Sequence, residues 1–87
     1  MSTFRLTVAT SAGKAYEGDA KSVSMRGANG DFMILPDHAP FMTLVKPSRV
    51  VITDAEGKEL SGECDGGVFQ TAGNEATLLT GKIELSD

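Results

Sequence analysis

Apolar and polar residues alternate with a period of two along most of this chain. Phe4, Leu6 and Val8 are separated by Arg5 and Thr7, and Val23 and Met25 by Ser24. In extended backbone successive side chains point to opposite faces, so this spacing gives each stretch one face for a core and one for water. Residues 31–35, 41–46, 49–53, 58–63, 68–72 and 76–80 predict further strands, bounded by turn residues. Asn29-Gly30 and Gly73-Asn74 tolerate positive φ, and Asp54-Ala55-Glu56-Gly57 has the composition of a short hairpin loop.

Turns recur about every 8 to 12 residues, the spacing of a β-sandwich or barrel. Glycines are spread over the whole length, and no window of about a dozen residues keeps a helical apolar stripe free of Gly or Pro. The chain therefore reads as all-β, with about ten short strands. One domain over residues 1–87 is expected, without internal repeat, linker or domain boundary.

Composition narrows the function classes. With 40% hydrophobic and 23% charged residues the chain is an ordinary globular domain, neither disordered nor fibrous. Its apolar runs fall far short of the roughly 20 residues that span a bilayer. The N-terminal stretch alternates instead of forming a continuous apolar segment, so no secretory signal is expected and the cytosolic side is the default. A net charge of -4 with scattered basic residues argues against nucleic-acid binding. The acids Asp54, Glu56, Glu59, Glu63 and Asp65 read as a solvated edge, since they lack the spacing of a calcium loop. Cys64 is alone and can form no intrachain disulfide.

The single histidine lies in the stretch LPDHAP. Pro36 and Pro40 fix their own φ and hold Leu35 and Ala39 extended, so residues 35–40 form a stiff corner between two strands. Histidine catalysis needs a nucleophile or an orienting acid. Asp37, as an extended-chain neighbour, points the other way, so the pattern favours a structural or partner contact for His38. A pairing of His38 with Cys64 as a thiol nucleophile is the enzymatic alternative. One His and one Cys do not make a zinc site, and neither Gly13-Lys14 nor Gly81-Lys82 has the upstream glycine of a phosphate loop. Phe41 and Met42 must face opposite sides, and an exposed apolar side chain beside a rigid corner suits partner docking.

Residues 27–52, GANGDFMILPDHAPFMTLVKPSRVVI, resemble the epsilon subunit of F-type ATP synthases. Gly27, Gly30, Asp31, Ile34, Pro36, His38, Ala39, Pro40, Thr43, Lys46, Pro47, Val50 and Ile52 fill that family's pattern. FRLTVATSAGKAYEG resembles its first hairpin, and Gly66-Gly67-Val68-Phe69 followed by EATLLTG resembles its closing strands. The resemblance implies a flattened ten-stranded β-sandwich of two five-stranded sheets. It also implies a non-catalytic central-stalk subunit that docks on gamma and the c-ring and couples ion-driven rotation to ATP synthesis. By position Asp31 corresponds to the ring-facing acid, and His38, Met42 and Thr43 to the gamma-facing surface, with Thr10 on the same surface. No cofactor, small-molecule substrate, nucleic acid or direct membrane insertion is implied. The location implied is peripheral, within the complex at the cytoplasmic face of the inner (plasma) membrane.

Three positions depart from the pattern. Ser48 replaces a glycine, which would strain a turn needing positive φ. Asp37 stands where glycine is frequent, and Thr80-Gly81 replaces a small residue followed by Asp. The family normally continues into a C-terminal helical hairpin; this sequence ends at Asp87, so no hairpin is expected. A stand-alone β-sandwich ligand-binding module, or less favourably a small hydrolase using His38 and Cys64, is the competing reading.

Overall fold

A computed structural model describes residues 2–87. Eight strands follow one another as β1 (Phe4–Thr10), β2 (Gly13–Gly27), β3 (Gly30–Ile34), β4 (Phe41–Val45), β5 (Ser48–Asp54), β6 (Glu59–Cys64), β7 (Gly67–Ala72) and β8 (Glu75–Thr80). The all-β reading holds, and each of the eight predicted stretches coincides with a strand.

β2 organises the molecule. Its first half pairs antiparallel with β1, which lies parallel to β8; β7 and β4 follow in order. Its second half is flanked by β3 on one side and by β5 and then β6 on the other. Fifteen extended residues would reach about 50 Å, yet the longest dimension of the molecule is 31 Å, so β2 must bend. The bend falls where its pairing with β5 shifts register between Ala20 and Ser22. Tyr16, Gly18 and Ala20 face inward before that point, and Val23, Met25 and Gly27 after it. A single-residue bulge reverses the alternation and carries the strand from one layer to the other.

The core is formed by both layers. Leu6 and Val8 on β1, Val23 on β2, Ile34 on β3, Val50 and Ile52 on β5, Phe69 on β7 and Leu78 on β8 are fully buried. Burying each such side chain contributes about 1.5–3 kcal/mol before entropy is counted. Phe32, Phe41, Tyr16, Leu60 and Leu85 pack against this cluster from the rims.

The sequence predicts ten strands and eight are present. β2 is one hydrogen-bonded strand serving both layers, and the C-terminal segment lies along β6 through a single bridge between Ser61 and Ser86. Counted by layer, each sheet has five members. The C-terminal segment is well anchored: Ser61 and Ser86 exchange both backbone hydrogen bonds, at 2.8 and 3.0 Å, and Lys58 pairs with Asp87 at 2.8 Å. Upstream, Asp65 Oδ1 accepts from Thr80 Oγ1 at 3.0 Å and from the N–H groups of Gly81 and Lys82 at 3.1 and 3.0 Å. The Thr80 hydroxyl foremost, then the Lys82 N–H, hold the Asp65 carboxyl below the usual carboxylate range. The Thr80-Gly81 departure thus sits against a carboxylate supplied by the β6–β7 connection.

The other two departures resolve locally. Asp37 is the one non-glycine residue with positive φ among those described, at 64°, which explains why glycine suits that position. Ser48 does not have positive φ, so the strain expected there is absent. Its hydroxyl donates to the Lys46 carbonyl at 2.8 Å and accepts from the Arg26 N–H at 3.3 Å. The 54–57 loop closes as expected, with Asp54 Oδ1 accepting from the Glu56 and Lys58 N–H groups at 2.9 Å.

Candidate docking surface

The proline corner is fixed at several points to the sandwich. The Ala39 carbonyl accepts the Thr71 hydroxyl at 3.0 Å and contacts His38 Nδ1 at 2.8 Å. A carbonyl oxygen only accepts, so His38 Nδ1 is the donor in that contact. The Asp37 N–H donates to Asn74 Oδ1 at 3.4 Å, and Asn74 Nδ2 donates to the Thr3 carbonyl at 2.7 Å. The His38 ring stands edge-on to Phe41 with centroids 5.8 Å apart. Phe41 stands edge-on to Phe32 at 5.3 Å, and Phe32 lies 5.5 Å from Phe69 in the core. An aromatic chain thus ties the exposed histidine to the interior.

Beyond the corner, the outer face of the β1–β8–β7–β4 layer carries two uncharged rows. Cross-strand register aligns Leu44 with Val68, Val68 with Leu79, and Leu79 with Ala9. The neighbouring row aligns Met42, Gln70, Thr77 and Thr7. Met42, Leu44 and Leu79 are 67%, 66% and 54% exposed. At the β2 edge charge flanks both rows, with Lys14 opposite Ala9 and Glu17 opposite Thr7, and the next row carries Glu75, Arg5 and Asp19. Contiguous apolar surface of this kind marks an interaction site in a soluble domain.

The predicted site residues divide between locations. Met42 lies within the uncharged face and His38 at the corner that leads into it. Thr43 is half-buried and faces inward opposite Phe69, its hydroxyl donating to the Leu44 carbonyl at 3.1 Å. Thr10 ends β1 on the inward side, where its hydroxyl donates to the Gly13 carbonyl and accepts the Ala12 N–H, both at 3.1 Å. Asp31 lies on the outer face of the other layer, where Arg26 Nε meets its Oδ1 at 2.8 Å. That hydrogen bond and the guanidinium charge hold the Asp31 carboxyl below its ordinary range.

Sequence reasoning does not single out Leu44, Val68, Leu79 and Ala9. Their signal is nevertheless present: in FMTLV and in Leu78-Leu79 both strand faces are apolar, more than one core requires. His38 and Cys64 are not brought together. Cys64 is buried on β6 opposite Ser48, its Sγ 3.9 Å from the Lys46 carbonyl, whereas the His38 ring contacts Ala39 and Phe41. Among the described residues no three His, Cys, Asp or Glu side chains cluster as a metal site would need, and no helix is long and apolar enough to cross a membrane.

Residues 3–86 match the family described as ATP synthase, Delta/Epsilon chain, beta-sandwich domain. The ATP synthase epsilon chain of a Nitratiruptor species is 37% identical over 86 residues, covering 98% of this chain and 67% of that one. The epsilon chain of Xylella fastidiosa is 34% identical over 87 residues, covering 100% of this chain and 62% of that one. That of Xanthomonas euvesicatoria is 34% identical over 79 residues, covering 91% and 56%. This chain therefore spans between 56% and 67% of the length of these relatives. Among solved structures, a chain of the Euglena gracilis mitochondrial ATP synthase (OSCP/F1/c-ring) superposes with a TM-score of 0.90 at 14% identity, covering 98% of this chain and 54% of that one. A chain of the Tetrahymena thermophila mitochondrial ATP synthase central stalk and c-ring gives 0.74 at 13% identity, covering 91% and 63%. Sequence and fold agree, and the chain belongs to the ATP synthase delta/epsilon chain β-sandwich family.

Proposed function

We propose that this chain is a non-catalytic central-stalk subunit of an F-type ATP synthase, which docks on the gamma subunit and the c-ring and couples ion-driven rotation to ATP synthesis. The observation that carries this reading is the uncharged outer face bearing Met42, Leu44, Val68 and Leu79, next to a corner held rigid by Pro36 and Pro40. A part that transmits torque needs a contact surface already ordered before binding, and proline removes backbone freedom from the unbound state. Three relatives bear the name ATP synthase epsilon chain. His38 and Met42 belong to the gamma contact, while Thr43 and Thr10 support that contact from the inward side of their strands. Asp31 meets the ring. The subunit is peripheral, held to the membrane by the complex, at the cytoplasmic face of the inner (plasma) membrane.

The test is co-purification with the gamma chain of the same organism. Apolar contacts are not screened by ions, so the complex is expected to survive high salt, over an interface of about 1,600 Å² or more. A folded chain that fails to associate with gamma removes this reading.

A further inference from the structure

Four charged side chains form a row across the outer face of the β3–β2–β5–β6 layer. Asp31 faces Arg26 across β3 and β2, and Arg49 faces Glu63 across β5 and β6. Beyond Ser24 and Val51, the last paired position of β2 and β5, Arg26 lies against the Lys46–Ser48 turn, and Arg26 and Arg49 line the same groove. The order across the sheet is acid, cation, cation, acid. Each acid–cation pair lies directly across neighbouring strands and favours their pairing, whereas the two guanidiniums that share the groove repel each other.

Both cations are held from their outer sides. Arg26 donates Nε to Asp31 Oδ1 at 2.8 Å, and its two terminal nitrogens meet no acceptor among the described residues. Arg49 donates Nη2 to Ser61 Oγ at 2.7 Å and Nη1 to Glu63 at 3.5 Å. Their side chains remain 59% and 61% exposed. Both line an open groove of about 630 Å³, together with Ser24, Met33 and Pro47. The flanking acids cancel the charge of the row as a whole and leave its centre positive. The net charge of -4 matters little there, because exposed charges are screened beyond about 8 Å at physiological ionic strength.

We infer that this groove takes a carboxylate side chain carried by an acidic segment of another protein. Planar guanidinium forks match carboxylates, and Met33 and Pro47 offer apolar contact to the residues that flank the acid. Small-ligand sites enclose most of their ligand, whereas this groove is open to solvent, which suits a protruding side chain. It lies on the layer facing away from Met42 and Leu44, so it is distinct from the proposed gamma contact, while it shares Asp31 with the proposed ring contact.

The experiment titrates the isotope-labelled 87-residue chain with three probes: a blocked peptide of alternating Leu and Glu, its Gln counterpart, and inorganic phosphate. The Arg26 and Arg49 Nε signals and the Ser24 and Ser48 amides are expected to shift with the Glu peptide alone. Arg26→Gln or Arg49→Gln weakens that binding by about two- to fivefold, and the double variant by about fivefold or more. Equal shifts with the Gln peptide, unchanged affinity in the variants, or saturation by phosphate with the Glu peptide silent would each overturn the assignment. Melting temperature monitors the fold, and the single variants carry the same test should the double variant not fold.

Discussion

Asp37 occupies the left-handed region at φ 64° in the middle of the corner, a conformation that Asp tolerates and β-branched residues do not. Asp37→Gly is therefore expected to change stability by less than about 0.5 kcal/mol, since relief of the left-handed cost is offset by the greater freedom of the unfolded glycine. Asp37→Val should cost about 1–2 kcal/mol, and urea denaturation distinguishes the two. A second residue-scale test concerns Thr80, whose buried hydroxyl lies between Asp65 Oδ1 and the Gly66 carbonyl. Thr80→Val leaves both acceptors without that donor and should cost about 1–2 kcal/mol, lowering Tm by about 4–15 °C in a domain of this size. The same contact fixes the sign of a pH effect. Asp65 titrates below its ordinary value of 3.8 in the folded chain. Its contribution is therefore complete above that value and is lost as pH falls through the lower, folded one. Tm measured down to about pH 2 should fall less steeply in Asp65→Asn than in the parent chain.

At the scale of elements, β2 shows what alternation reveals and what it hides. Val23 and Met25 announce their strand because large apolar residues mark the inward face. The half before the bulge stays hidden because its inward positions are Tyr16, Gly18 and Ala20, two of them too small to register as apolar. The Tyr16 ring lies over Gly18 and fills the space that a larger side chain would have taken. The rigidity of the corner was legible from its two prolines, and Phe41 and Met42 do face opposite sides. The uncharged face was not legible, because it depends on β1, β8, β7 and β4 lying side by side, a long-range register that no local window contains. The charged row across β3, β2, β5 and β6 was hidden for the same reason. One further prediction belongs to this scale. A Cβ added to Gly62 would collide with the Glu84 carbonyl of the segment lying along β6. Gly62→Ala should displace that segment at a cost of about 1–3 kcal/mol, read as faster hydrogen exchange at the Ser61 and Ser86 amides.

For the whole molecule, the proposed assembly role assigns different tasks to different surfaces. Leu44→Glu and Leu79→Glu place charges on the uncharged face without touching the core. They are expected to leave stability within about 0.5 kcal/mol while weakening association with gamma by about tenfold or more. Thr43→Ala and Thr10→Ala should weaken it less, because these side chains face inward; a larger loss at Thr43 than at Leu44 would move the contact elsewhere. The bent strand β2 gives such a surface its footing. Because one continuous backbone belongs to both sheets, a sideways load applied to either face passes along covalent bonds to the other, and the halves cannot slide past each other as separately stacked sheets could. Shear between them would have to open the kink at Lys21 or break whole ladders of hydrogen bonds together, so the domain should yield abruptly under force instead of creeping.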